Sequence, residues 1–123
     1  MTRNDFRDWL ERYLRPQEKC DPECIWDTFA EDGVYWWGPF NEPRCGIHAI
    51  YAHHKNALSH QNDLKYTYQI LAVTDQCGIA RFHLTLADHV PGEPNEYDGI
   101  LVVRLNDEQK AVLFEEWYHS RVR

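Results

Sequence analysis

A chain of 123 residues, 43% hydrophobic and 27% charged, is long enough for one domain with a single core and a modest internal cavity. Its 20 acidic against 13 basic residues leave a net charge of −7, which excludes the basic face that nucleic acid or an anionic membrane surface requires of a partner. No apolar run approaches a membrane span, and the stretch from Met1 to Trp9 mixes charges where a signal peptide would be apolar, so a cytoplasmic address is expected.

In that compartment the four cysteines (Cys20, Cys24, Cys45 and Cys77) are expected to be free thiols. Cys20 and Cys24 could share a helix face, but a zinc site needs further ligands at suitable spacing and no such pattern is present, so no metal is expected. Aromatic residues are abundant at 14%; bulky rings with polar tips suit a cavity wall and a subunit interface equally.

Phe6, Trp9, Leu10, Tyr13 and Leu14 recur at helical spacing and predict a first helix ending at Pro16. Asp21-Pro22 predicts a second helix start, with Ile25, Trp26 and Phe29 inward and Gly33 as its stop. Val34 to Trp37 reads as a short aromatic strand broken by Gly38-Pro39. A third helix is expected from about Gly46 to Leu58, with Ile47, Ile50, Tyr51, His54 and Leu58 on its apolar stripe. His53 flanks that stripe.

After a loop over residues 59–63, four strands are expected: Tyr66 to Val73, Ile79 to Val90, Glu96 to Leu105 and Ala111 to Arg121. Short turns between them imply an antiparallel meander. In the second, Phe82, Leu84 and Leu86 alternate with polar residues, as in a sheet with one buried face. Three helices followed by a curved antiparallel sheet is an α+β arrangement, and a sheet that wraps the helices encloses a pocket.

The residues Phe29-Ala30-Glu31-Asp32, Glu42-Pro43-Arg44-Cys45-Gly46, Ile50 and Phe114-Glu115-Glu116-Trp117-Tyr118 carry a further signal. With them the chain resembles, over nearly its whole length, the nuclear transport factor 2-like (NTF2-like) superfamily in its SnoaL-like, polyketide-cyclase-like branch. The resemblance implies a cone-shaped, cystatin-like fold with an internal pocket and a homodimer through the outer sheet face. His83, His119, Trp36, Trp117 and Arg81 would lie on that outer face. This scaffold hosts isomerases, cyclases, dehydratases, hydrolases and non-catalytic binders, so fold alone does not give activity.

Ketosteroid isomerase, a relative on this fold, can be overlaid from the first to the third helix without gaps. Its oxyanion-binding tyrosine falls on Tyr13, its catalytic base on Trp37, and its protonated aspartic acid near Leu101. Trp37 and Leu101 cannot do that proton chemistry, so steroid isomerisation by the aspartate mechanism is not expected. The same overlay puts His53 and His54 beside the cavity, and Phe114, Glu116 and Tyr118 on the inner face of the last strand. The alternation alone leaves open whether Glu116 or Glu115 points inward.

Glu116 among aromatic residues would be desolvated, which raises a carboxyl pKa toward the range useful to a general acid or base. Tyr13 could donate a hydrogen bond to a carbonyl or oxyanion, or simply pair with His54 as a core residue. His54 could relay or orient a proton between Tyr13 and Glu116. Tyr35, Trp37, His53, Tyr66, Tyr68, Phe82, Leu84, Leu101, Phe114 and Tyr118 are expected cavity walls. The ligand would be a small apolar or aromatic molecule with one or two polar atoms. Two functions follow: cofactor-independent isomerisation, cyclisation or dehydration through Glu116, or a non-catalytic dimeric module that binds a ligand or partner.

Overall fold

Thr2 opens helix α1 (Arg3–Glu18) with a capping box: its hydroxyl accepts from the Asp5 amide, and the Asp5 carboxylate accepts from the Thr2 amide. The structure, a computed structural model, describes residues 1–87 and 90–123. The expected stripe of α1 is its buried face, joined by Gln17. Pro16 does not end the helix, contrary to expectation. Gln17 is buried and its side-chain amide donates to the Tyr13 carbonyl at 2.8 Å, while Arg15 pairs with Glu18 at 3.0 Å, so side-chain bonds hold the last turn.

The second helix is much shorter than expected. A 3₁₀ turn (Pro22–Cys24), capped by Asp21, leads into one helical turn, α2 (Ile25–Thr28). Thr28 Oγ1 donates to the Cys24 carbonyl at 2.8 Å, and strand β1 (Phe29–Trp36) begins at once. Pairing Phe29 with Ala111 supplies sheet partners in place of a further helical turn. Trp26, expected inside, lies outside and stacks on Tyr51 with ring centroids 4.5 Å apart. An unexpected two-residue strand, β2 (Arg44–Cys45), precedes α3 (Ile47–Ser59), whose buried residues are Ile47, Ile50, His54 and Leu58.

Strands β3 (Lys65–Val73), β4 (Cys77–Thr85), β5 (Glu96–Leu105) and β6 (Ala111–Arg121) form the expected meander. The sheet order is β2-β1-β6-β5-β4-β3. One contact departs from the antiparallel expectation: β1 runs parallel to β6. Strand β4 was expected to reach Val90; it ends at Thr85, and Asp88 and His89 lie outside the described residues.

Register settles the face of β6. Tyr35 opposes Phe114, and Leu101 opposes Glu116, so Phe114, Glu116 and Tyr118 share the inner face with the buried Phe82 and Leu101. Glu115 points outward, where it accepts from Trp117 Nε1 at 3.2 Å. Gly99 is required beside Tyr118, since a Cβ there would lie 2.1 Å from the Trp117 carbonyl oxygen. Phe6, Trp9, Phe29 and Phe114 fill the core between α1 and the sheet, and Trp9 Nε1 donates to the Thr28 carbonyl at 2.8 Å. This is a cone-like α+β architecture: helices on one face of a curved sheet.

Candidate active site

Beyond the Trp9–Tyr13 stack the core gives way to a cavity of about 340 Å³. Helix α1 contributes Tyr13 and Gln17 to its wall; α3 contributes His53, His54, Asn56, Ala57 and Leu58. The sheet side is Tyr35, Tyr66, Phe82, Leu84, Tyr97, Glu116 and Tyr118, with Trp37, Arg44 and Gln61 completing it.

Glu116 is enclosed by protein, yet its side chain keeps some accessible surface, as a group facing an internal cavity must. Burial raises its pKa to about 7, and a hydrogen bond from Tyr35 acts in the opposite direction. No cation among the described residues offsets the burial. The same carboxyl pushes up the pKa values of Tyr13, Tyr35, Tyr66, Tyr97 and Tyr118, on top of the burial that dominates each, so five phenols surround it.

His54 fixes the direction of the neighbouring hydrogen bonds. Its Nδ1 lies 2.8 Å from the Ile50 carbonyl oxygen, which can only accept, so Nδ1 carries the proton. Nε2 of the neutral ring then accepts, and the Tyr13 hydroxyl, 2.8 Å away, donates to it. Burial, with a smaller contribution from His53, lowers the His54 pKa to about 4, so the ring stays neutral at pH 7. The Tyr13 proton is thus directed at His54 and not into the cavity. Tyr35 adjoins both this pair and Glu116: its ring meets that of His54 edge to face with centroids 4.8 Å apart, and its hydroxyl works against the rise in the Glu116 pKa.

The hydroxyls better placed to donate to a bound oxygen are those of Tyr97 and Tyr118, whose rings meet edge to face at 5.5 Å. Neither hydroxyl bonds to another group among the described residues. On the opposite wall Trp37 packs on His53 at 4.8 Å, and the Arg44 guanidinium lies over the Trp37 ring at 5.6 Å. Burial and the Arg44 charge lower the His53 pKa to about 4.

Of the expected wall residues, Tyr35, Trp37, His53, Tyr66, Phe82, Leu84 and Tyr118 line the cavity. Three do not. Tyr68 points to the outside of α1, where its hydroxyl donates to Glu11 at 2.9 Å; Leu101 and Phe114 are packed solid in the core, 1% and 0% exposed. Tyr97, Gln17 and Arg44 line the cavity and were not among the expected residues. Tyr97 is legible in principle, since it shares parity with Leu101 on β5, whereas Arg44 lies on the two-residue β2, too short to show a periodicity.

The outward residues sit where the resemblance implied. His83 Nε2 lies 2.8 Å from Glu96, which also pairs with Arg121, and Arg81 pairs with Asp98 at 3.1 Å. The four cysteines are free thiols, and burial pushes that of Cys24 up to about 12. Among the described residues no three metal-binding side chains converge, and no helix is long and apolar enough to cross a membrane.

This architecture has solved counterparts. A candidate SnoaL-like polyketide cyclase from Jannaschia sp. CCS1 superposes with a TM-score of 0.77 at 12% identity, over 94% of this chain and 85% of that one. SalBIII, an epoxide hydrolase/cyclase-like enzyme with a role in pyran ring formation in the polyether salinomycin, gives 0.77 at 14% identity, over 92% and 89%. A steroid delta-isomerase from Pseudomonas aeruginosa gives 0.70 at 18% identity, over 97% and 82%. The chain has the NTF2-like, SnoaL-like fold. At these identities the likeness is one of fold, and the sequence matches no protein-family model and no curated protein. Despite the shared fold with the steroid isomerase, Trp37 stands in the cavity wall as an indole packed on His53, and Leu101 is buried in the core.

Proposed function

We propose that this NTF2-like domain binds a small, largely apolar ring compound in its cavity and that Glu116 moves a proton on it. The observation that carries this is Glu116 itself: an inward carboxyl, facing the cavity, with no cation beside it among the described residues and a pKa raised by burial to about 7. A carboxyl so placed holds a proton for about half the molecules at neutral pH, the condition under which one group serves as both base and acid. The cavity of about 340 Å³ is roughly twice the ~150 Å³ that accommodates benzene, which suits one or two rings.

In this reading the Glu116 carboxylate takes a proton from carbon beside a carbonyl, or from a hydroxyl, and returns it at a second position. The outcome is isomerisation, cyclisation or dehydration. Tyr97 and Tyr118 donate hydrogen bonds to the oxygen on which charge develops. Tyr13 and His54 act as positioning residues, since their mutual bond holds the His54 ring on which Tyr35 packs, and Tyr35 adjoins Glu116. That cyclase- and isomerase-named proteins share the fold supports the class of chemistry and nothing finer.

The test is exchange of the α-protons of 1-indanone and 2-tetralone into D₂O, followed by NMR. The protein accelerates exchange over buffer, and Glu116→Gln loses at least ~100-fold of the acceleration. Equal exchange by the variant would eliminate the mechanism. The second reading, a non-catalytic binding module, is favoured by the self-satisfied Tyr13–His54 pair; it gives ketone binding that Glu116→Gln leaves unchanged, with no exchange.

Two copies are proposed to pair through the outer sheet face. There Leu71 and Trp117 are each 48% exposed, and Phe40 is wholly exposed on the adjoining loop.

A further inference from the structure

We propose that the ligand of this cavity is a ring carboxylic acid, its carboxylate bound by Arg44 at the end of the cavity remote from Glu116. This rests on the ligand-binding reading above and narrows it from an apolar ring compound to an anionic one.

Register places Arg44 on the cavity side of the sheet. Arg44 opposes Tyr35, Tyr35 opposes Phe114, and Glu116 follows Phe114 by two residues, so all four share one face. Two strand spacings and two residue rises separate the Arg44 and Glu116 Cα atoms by about 12 Å. Side chains reaching inward from such positions bracket a one- or two-ring molecule rather than each other.

Among the described residues, Arg44 is the only lysine or arginine in the cavity wall. It forms no ion pair or hydrogen bond among the described residues, although the chain carries 20 acidic residues and four other arginines (Arg12, Arg15, Arg81 and Arg121) are each paired. What holds it is Trp37. The guanidinium lies 5.6 Å over the indole, and the indole in turn packs on His53. A guanidinium held by its face keeps its N–H edges free, and a carboxylate accepts two parallel hydrogen bonds from such an edge.

His53 extends the same end. Its ring forms no hydrogen bond among the described residues and faces the cavity as a neutral imidazole, able to donate to an anion or accept from a hydroxyl. Below neutral pH the opposite end repels an anion little, since Glu116 is mostly protonated there. A single guanidinium with one imidazole matches a monoanion; a phosphate monoester would call for more donors than this wall provides.

The experiment is calorimetric titration of the full chain with 2-naphthoate and its neutral counterpart 2-naphthamide at pH 6.5. The acid binds at least tenfold more tightly than the amide. Arg44→Gln abolishes the preference and Arg44→Lys keeps part of it. Should Arg44→Gln fail to fold, the wild-type protein still decides: raising salt from 20 to 300 mM weakens naphthoate binding several-fold and leaves naphthamide unchanged. Amide binding as tight as acid binding overturns this inference and leaves the ligand-binding reading standing. Failure of both probes to bind at millimolar concentration overturns the two together.

Discussion

Replacing Glu116 by Gln should stabilise the protein above neutral pH and leave it nearly unchanged at pH 5. The carboxyl titrates at about 7 in the fold against 4.5 in the unfolded chain, chiefly because burial disfavours its charge. Between those values the native state holds a proton that the unfolded state has lost. Stability is therefore undiminished below pH 4.5, falls as pH rises, and is fully reduced once pH passes about 7. At 1.36 kcal/mol per pH unit the loss is about 3 kcal/mol, an upper figure because local rearrangement relieves part of it. Gln keeps the size and can still accept from Tyr35, but it never ionises. With an unfolding entropy of about 2.1 cal/mol/K per residue, each kcal/mol moves Tm by about 4 °C in a chain of this length. Melting followed by circular dichroism should show Tm raised by about 10 °C at pH 8.5 and by no more than about 3 °C at pH 5. An equal shift at both pH values, or a fall at pH 8.5, would refute the placement of Glu116 in a desolvated site.

Tyr13→Phe should cost about 1–3 kcal/mol in urea unfolding at pH 7.5, because it leaves His54 Nε2 buried without a donor; a loss under 0.5 kcal/mol, about that of a surface change, would contradict the assigned tautomer. His54 works in the opposite pH direction from Glu116. Its pKa falls from 6.5 to about 4 on folding, so the stability it contributes is present above pH 6.5 and lost as pH drops through 4, by up to about 3 kcal/mol. An NMR titration of its Cε1–H with a midpoint at 6 or higher would sink that statement. On the outer sheet face, Trp117→Asp should convert a dimer to a monomer in sedimentation velocity without lowering Tm by more than a few degrees; a wild-type monomer would dispose of the proposed pairing.

The long periodic elements were legible because one physical signal dominates each. The α1 stripe from Phe6 to Leu14 and the alternation of Phe82 and Leu84 in β4 are patterns that burial alone enforces. Short segments were not. Trp26 and Phe29 fit a helical face, but Phe29 gains more by pairing with Ala111, an interaction 82 residues away that no local window contains. The parallel β1–β6 contact and the two-residue β2 are non-local in the same sense. In the site, the inward direction of Glu116 came from likeness to known folds, and only the register with Leu101 and Tyr35 gives it a physical basis. Tyr13 and His54 were expected as a pair. The direction of their bond was not, because it depends on the Ile50 carbonyl four residues before His54. Tyr68, Leu101 and Phe114 share composition with true wall residues, and composition cannot tell a lining ring from a packed one.

Tyr35, expected only as a wall residue, links the two halves of the site, and proton counting along this chain gives one more prediction. His54 donates to the Ile50 carbonyl and accepts from Tyr13, so Tyr13 can accept from Tyr35 and Tyr35 from a protonated Glu116, with one proton at every step. When Glu116 ionises, Tyr35 must turn its proton to the carboxylate, and the Tyr13 oxygen is left with Gln17 alone as a donor. Two opposing effects thus act through Tyr35: it stabilises the carboxylate as a donor, and it completes the chain only for the acid. The direct bond to the charged form is the stronger, because charge-assisted hydrogen bonds outweigh neutral ones about twofold. Tyr35→Phe should therefore raise the Glu116 pKa above about 7, and the onset of the proposed proton transfer would move to higher pH with it. Carbon-13 NMR of the glutamate carboxyls, with Glu116→Gln to assign the signal, reads this directly. A Glu116 pKa that falls in Tyr35→Phe would mean that the intact chain, and not the bond to the carboxylate, sets the protonation of the site.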